Sequence, residues 1–424
     1  MDKFIIKGGN RLCGRVKISG AKNGSLALMP ATILAPGTYY LHNTPNLRDV
    51  WTMSRLMTEL GAFCELNDND LFVDTRNINK TLAPYEHVKN MRASFYVLGP
   101  LLARFGEAKV SLPGGCAWGP RPVDLHIKGM QRLGADVNLE NGYIIAKAQQ
   151  LKGAKIHLDV SSVGATGNIL MAATLAKGVT VISNAATEPE ITALARMLVK
   201  MGAKIDGIGT AILEIEGVDK LTPVNEETNI PDRIEAATYL IAAAATAGTV
   251  ELQNVNPYHL TAIIAKLEEC GCEIDVNSDN IFLKAPEIKK SVDITAAVYP
   301  GIPTDIQPQW TALMASKCDG NSKITDPIYT DRFKHIPELI RMGADIDVVK
   351  NAAFVKSNPE KSFTGAQVMA SDLRAGAALI IAALATNDIT EILRVYHIDR
   401  GYESIENKLI SIGANIKRVK TDLI

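Results

Sequence analysis

The chain has 424 residues, which at roughly 150 per domain implies two or three domains. Its 45 Lys and Arg against 46 Asp and Glu leave a formal charge of −1, which excludes a polybasic nucleic-acid or membrane-surface binder and makes any anion site a local one. With 47% apolar, 21% charged and only 5% aromatic residues, extensive disorder is excluded and the cores must be aliphatic.

From the amino terminus, MDKFIIKGGN has no charged-then-apolar secretory pattern, so a cytoplasmic location is expected. The longest apolar runs, Leu240–Ala245 with its flanks and Ala375–Ala385, fall short of the ~18 to 20 residues a membrane span needs, so no membrane insertion is expected. Along the chain one segment recurs six times: LMTELGAFCEL, MQRLGADVNL, MLVKMGAKIDG, KLEECGCEIDV, LIRMGADIDVV and KLISIGANIKR. Each reads as the end of a helix, a glycine and a strand, and the glycines (61, 134, 202, 271, 343 and 413) lie 68 to 73 residues apart. Upstream of each lies a more apolar helix, typified by ATILA, ILMAATLAKG, IEAATYLIAAAATAG and LRAGAALIIAALAT, followed by a short strand. The unit is therefore helix, strand, helix, strand. The first helix, apolar nearly all round, predicts burial on every side; the second, as in EITALARMLVKM, has a polar stripe. Six such units exceed one ordinary core, which predicts an α/β protein of two lobes with three repeats each and a ligand site in the cleft between them.

Polar residues fall at repeated phases. The start of the first helix carries Lys22 and Asn23, Arg92, Ser162 and Gly164, Asp232 and Arg233, Thr304 and Asp305, then Asp372 and Arg374. After the first strand come Arg48, Cys116 with Arg121, Glu188 with Glu190, Arg332 and Arg400. Taken singly, Ser, Asp and Thr at helix starts are caps. The cations are not explained that way, because the helix dipole disfavours positive charge there; they point to an anionic ligand or to partner carboxylates.

Residues 111–129, SLPGGCAWGPRPVDLHIKG, hold four glycines and three prolines where other units have a shorter turn, which predicts a surface loop with Cys116 near its middle. Arg121 and His126 nearby would favour its thiolate, whereas the other five cysteines (Cys13, Cys64, Cys270, Cys272 and Cys318) read as parts of helices or strands. Cys270 and Cys272 have no second pair for a zinc site, the seven histidines form no ligand cluster, and no phosphate loop, dinucleotide fingerprint or HExxH helix is present. No metal and no cofactor are expected.

With these residues on view, the whole chain resembles the UDP-N-acetylglucosamine 1-carboxyvinyltransferases, the enolpyruvyl transferases of the first committed step of peptidoglycan synthesis. The resemblance rests on SGAKN (19–23), MRAS (91–94), LPGGCxxGxRPVDLHxxG (112–129), SVGAT (162–166), EPEI (188–191), PDRIE (231–235), PTDxQ (303–307), RMGA (341–344), GAQVMASDLRA (365–375) and YHIDRGYE (396–403). It implies the enolpyruvyl transferase fold, a two-lobed inside-out α/β barrel. One lobe would span 22–229 and carry the cysteine loop, and 1–21 would join 230–424 in the other. It also implies transfer of the enolpyruvyl group of phosphoenolpyruvate to the 3-hydroxyl of UDP-N-acetylglucosamine by addition and elimination, with phosphate released and no nucleic-acid partner.

By motif, Cys116 resembles the family's general acid, which also forms a covalent adduct with phosphoenolpyruvate, and Asp305 resembles the group that takes the sugar hydroxyl proton. Lys22, Arg121 and Arg400 look like the cations on phosphoenolpyruvate, with Asn23 touching both substrates. Arg92, Arg121, Pro122, Val123, Asp124, Leu125, Ser162, Val163, Gly164, Asp305 and Ile328 correspond to the nucleotide-sugar site; Arg332, Asp372 and Arg374 resemble closure or supporting residues. Two departures bear on sugar binding: Val160 and Ser161 stand where some relatives have a lysine, and Tyr96 where an indole is common. The rival reading is a 3-phosphoshikimate 1-carboxyvinyltransferase, a family that lacks the LPGGC and RPVDLH segments; a degenerate, noncatalytic copy is the other.

Overall fold

The computed structural model describes residues 2–89, 91–112, 123–361 and 363–420. It divides into two compact units, Gly20–Ile230 and Met1–Ser19 with Pro231–Ile424. Each has its own aliphatic core, and the two cores share no residue.

The glycine signal has a backbone cause. All six repeat glycines adopt positive φ, from +88° to +107°, a conformation that a Cβ disfavours. At the first, the Gly61 N–H donates to Thr58 O and the Ala62 N–H to Met57 O, both at 3.0 Å, which satisfies carbonyls left over by helix Arg48–Leu60 and turns the chain into strand Phe63–Asn67. The same phase of helix stop and strand start recurs in every repeat.

The second half of the repeat is richer than a single strand. In the third repeat, strand Lys155–His157 runs parallel to Val179–Ser183, which pairs antiparallel with Ile212–Glu216, which pairs antiparallel with Lys204–Asp206. The six sheets among the described residues keep this order of one parallel and two antiparallel pairings, with an extra parallel strand, Ile294–Thr295, in the fifth. In the sixth repeat a partner comes from the other end of the chain. Strand Asp2–Lys7 lies between Ile389–Leu393 and Asn415–Lys420, antiparallel to both.

Helices lie inside the sheets, as the hydrophobic patterns require. Every residue of Arg233–Ala245 is buried, and this helix packs with Gln307–Met314 and Leu373–Ala385 at the centre of their unit. In the other unit, Leu98–Phe105 packs on Val163–Ala173, and Lys22–Ala31 packs on the 3-10 helix Arg92–Val97. The second helices, such as Arg48–Leu60 and Pro189–Lys200, keep one face buried and one exposed. No helix among the described residues is long and apolar enough to cross a membrane.

Candidate active site

Three of the six helix-start positions are caps. Ser162 Oγ accepts from the Ala165 N–H at 3.3 Å, Asp232 Oδ1 from Ile234 and Glu235 at 2.8 and 2.9 Å, and Asp372 Oδ1 from Arg374 and Ala375 at 2.8 and 3.1 Å. The segments starting at Lys22, Arg92 and Thr304 have no side-chain cap. The polar residues there do other work.

In the unit formed by Met1–Ser19 and Pro231–Ile424, Asp305 is the centre of a charged cluster. Its Oδ1 accepts from Arg332 Nη1 at 2.6 Å, and its Oδ2 accepts from Arg374 Nε at 3.0 Å and Nη2 at 2.8 Å. Burial alone would raise the Asp305 pKa, but Arg374 and Arg332 together hold the carboxyl well below the usual carboxylate range. Arg332 also donates to Thr304 Oγ1 at 3.1 Å, and that hydroxyl donates to Asp326 Oδ2 at 2.6 Å. Asp326 Oδ1 in turn accepts from the N–H groups of Ile328 and Tyr329, fixing the turn that carries Ile328, whose side chain is exposed. Asp372 caps the helix that begins at Leu373, which aims Arg374 at Asp305, and the Arg374 guanidinium sits over the Tyr402 ring at 5.4 Å. Arg400 ends the 3-10 helix Val395–Arg400, which packs against that same helix.

In Gly20–Ile230, Lys22 opens helix Lys22–Ala31 with Asn23 beside it, and Lys22 Nζ lies 3.1 Å from Asp49 Oδ2 of the adjoining helix, both side chains largely buried. Arg92 is exposed at the start of its 3-10 helix. Val123 is buried immediately before helix Asp124–Arg132; Asp124 is exposed and Leu125 half-buried in its first turn. Ser162, Val163 and Gly164 form the half-buried start of helix Val163–Ala173. Helices Asp124–Arg132 and Val163–Ala173 pack together. A Cβ on Gly164 would lie 3.2 Å from the His126 ring, so these two helix starts meet at the nucleotide-sugar residues expected by motif.

The surface loop expected over 111–129 is corrected at both ends: Ser111 closes strand Glu107–Ser111, and 124–129 belong to helix Asp124–Arg132, where His126 and Gly129 are buried; Cys116, Arg121 and Pro122 lie outside the described residues. The four buried or partly buried cysteines elsewhere are held as thiols. Burial pushes Cys64 up to about 12 and Cys272 and Cys318 up to about 11, and it raises Cys270 further still. Among the described residues no group of three or more His, Cys, Asp or Glu side chains is placed to hold a metal ion.

Sequence reasoning missed the partners that set these groups. Asp49 follows Arg48, at a phase already marked as polar, and could have been found there. Asp326 carries no such signal, because it lies in an irregular turn.

Comparison with known proteins shows the family of the chain. The family model for EPSP synthase (3-phosphoshikimate 1-carboxyvinyltransferase) matches residues 6–409. A UDP-N-acetylglucosamine 1-carboxyvinyltransferase of Chlorobium limicola is 55% identical over 99% of both chains. One of Chloroherpeton thalassium is 55% identical over the whole of this chain and 98% of its own, and one of Geotalea daltonii is 53% identical over 99% of this chain and all of its own. Among solved structures, the enolpyruvyl transferase NikO from Streptomyces tendae is 26% identical with a TM-score of 0.90 over 99% of both chains. The EPSP synthase from Acinetobacter baumannii, at 19% identity and a TM-score of 0.77 over 99% of this chain and all of its own, shares the fold.

Proposed function

The chain belongs to the enolpyruvyl transferase family, in its UDP-N-acetylglucosamine 1-carboxyvinyltransferase branch, and on that premise we propose that it transfers the enolpyruvyl group of phosphoenolpyruvate to the 3-hydroxyl of UDP-N-acetylglucosamine and releases phosphate. The end-to-end identity of 55% to relatives of that name carries the reading. It makes the protein a cytoplasmic transferase at the first committed step of peptidoglycan synthesis.

The reaction adds the sugar oxygen to C2 of phosphoenolpyruvate and a proton to C3, giving a tetrahedral ketal that bears both carboxylate and phosphate. Loss of a proton from C3 and of phosphate from C2 then restores the double bond. Lys22, Arg121 and Arg400 balance the two anions, and preorganised charge of this kind is often the largest catalytic contribution. Cys116 supplies the proton to C3, and Asn23 contacts both substrates. Asp305 receives the hydroxyl proton. Its arginines keep it a carboxylate, and Oδ1, which accepts one hydrogen bond where Oδ2 accepts two, has a lone pair left for the hydroxyl. Arg332, a single-nitrogen partner of that oxygen and the more exposed arginine, is the one whose loosening would raise the basicity that the doubly paired carboxylate lacks. Arg92, Val123 to Leu125, Ser162 to Gly164 and Ile328 hold the nucleotide sugar with Arg121 and Pro122.

The deciding experiment mixes the purified chain with phosphoenolpyruvate and UDP-N-acetylglucosamine and follows phosphate. Release that requires the nucleotide sugar supports the reading. Release only with shikimate 3-phosphate overturns it.

A further inference from the structure

His126 is a polar side chain on the buried face of helix Asp124–Arg132, only 3% exposed, and Asn168 is wholly buried in helix Val163–Ala173. Buried polar groups are kept when they are bonded, and Asn168 is bonded at both ends. Its Oδ1 accepts from the Gly99 N–H at 2.6 Å, its Nδ2 donates to Phe95 O at 2.8 Å, and Nδ2 also lies 3.0 Å from His126 Nδ1. The two backbone groups fix the amide orientation, since one can only donate and the other only accept. The Asn168 nitrogen is therefore the donor to His126, Nδ1 is the acceptor, and the imidazole proton sits on Nε2.

That ring is the meeting point of three segments. Its edge lies against Gly164, where a Cβ would come within 3.2 Å of Cε1 and Nε2. Phe95 packs edge-to-face on it with centroids 5.0 Å apart. The Tyr96 hydroxyl donates to Val163 O at 3.2 Å, tying the same 3-10 helix to the same helix start. Burial, reinforced by the Arg92 cation, pushes the His126 pKa down to about 3, so the ring is neutral, the acceptor at Nδ1 is permanent, and His126 supplies no positive charge to favour a Cys116 thiolate, contrary to the expectation from sequence. Each of the three segments joined here begins with residues of the proposed nucleotide-sugar site: Arg92, Asp124 with Leu125, and Ser162 to Gly164.

We propose that His126 and Asn168 are a positioning pair that holds these three segment starts in register, and so sets the affinity for the nucleoside-diphosphate sugar without entering the chemical step. This rests on the functional reading above. A rigid hydrogen-bonded support matters because a binding site misplaced by a fraction of an ångström loses its bonds to the ligand while the chemistry elsewhere is left intact.

The test compares the full chain with its His126→Leu and His126→Asn variants, by direct binding of UDP-N-acetylglucosamine and by steady-state kinetics. Leucine removes the acceptor and strands the Asn168 N–H; asparagine keeps an acceptor near the position of Nδ1. His126→Leu is expected to weaken UDP-N-acetylglucosamine binding by about 10- to 100-fold, with KM for phosphoenolpyruvate and kcat changed less than about threefold, and His126→Asn should recover most of the loss. Equal damage to both substrates, a fall in kcat with sugar binding intact, or no recovery in His126→Asn overturns the pair. A second measurement does not depend on the variants folding: imidazole nitrogen shifts of the wild-type chain at pH 7 should show a neutral ring protonated on Nε2, and an Nδ1–H tautomer or a cation overturns the proposal. A wild-type chain that does not bind the nucleotide sugar sinks the functional reading, and this inference with it. Wild-type binding matched by equally tight binding in His126→Leu sinks this inference alone.

Discussion

Arg374 grips Asp305 through two nitrogens on one carboxylate oxygen, at 3.0 and 2.8 Å, leaving the other oxygen to Arg332. Two donors from one guanidinium hold that oxygen, and with Arg332 on the other they orient the carboxylate; a lysine, with one point charge, cannot reproduce the paired donors. Arg374→Met is expected to lower stability by about 3 kcal/mol, the usual scale for stranding one partner of a buried pair, and to cut turnover. Arg374→Lys should recover charge without recovering turnover. Thermal melting and phosphate release check both.

The same pair predicts a pH dependence. The folded pKa of Asp305 lies below its unfolded value, about 3.9 for a free aspartate. Its contribution to stability is therefore fully present above that value and is lost as pH falls below it toward the folded pKa. The stability gap between the wild type and Asp305→Asn should be flat from pH 5 to 8 and shrink below about pH 4. A gap that shrinks between pH 6 and 8 would refute the assignment.

Lys22 is held by Asp49 before any ligand arrives. Lys22→Ala should reduce kcat/KM for phosphoenolpyruvate by about 10²- to 10³-fold, the scale on which one preorganised electrostatic donor acts. It should also lower the melting temperature, because the Asp49 carboxylate loses a partner in a largely buried place. Lys22→Arg should restore stability more than turnover. Kinetics with phosphoenolpyruvate varied and a melting curve separate the two effects.

An epoxide of the fosfomycin type, mimicking phosphoenolpyruvate, should alkylate Cys116. Cys64, Cys270, Cys272 and Cys318 have pKa values raised by burial and offer almost no thiolate near pH 7. Peptide mass spectrometry should find the label on the Cys116 peptide; label on Cys64 or Cys318 would count against the role given to Cys116.

The repeat glycines give a prediction that separates conformation from crowding. At Gly134 and Gly202 a Cβ would meet nothing within 4 Å, so Ala there should cost only the backbone penalty of positive φ, about 1 kcal/mol each. At Gly61 the Cβ would also come within 2.6 Å of Asn77 O, so Gly61→Ala should be clearly worse. Denaturant titration of the three variants ranks them.

Those glycines also explain why so much of the architecture could be read without coordinates. A left-handed helix stop has few residue solutions, so Gly61 and its five counterparts show in the letters what the backbone does. The buried helices were legible for a similar reason, since Arg233–Ala245 has no side left for solvent and its letters show none. Side-chain convergence is different. Asp305 and Arg374 are 69 residues apart and touch only because two repeats pack together, and no local pattern encodes that. The phase of polar residues brought both to notice without revealing that they pair. Asn168 is harder still, a lone amide in an apolar helix whose three bonds are visible only in space.

Strand Asp2–Lys7 has one more consequence, for the order of assembly during synthesis. It is made before any of Gly20–Ile230, yet both strands that flank it, Ile389–Leu393 and Asn415–Lys420, are made after all of that unit. At roughly 5 to 20 residues per second, it waits about 20 to 80 s for its neighbours. Gly20–Ile230 is complete well before then, including Glu226–Thr228 beside Thr38–His42. Gly20–Ile230 can thus fold while Asp2–Lys7 still waits for the strands that will flank it.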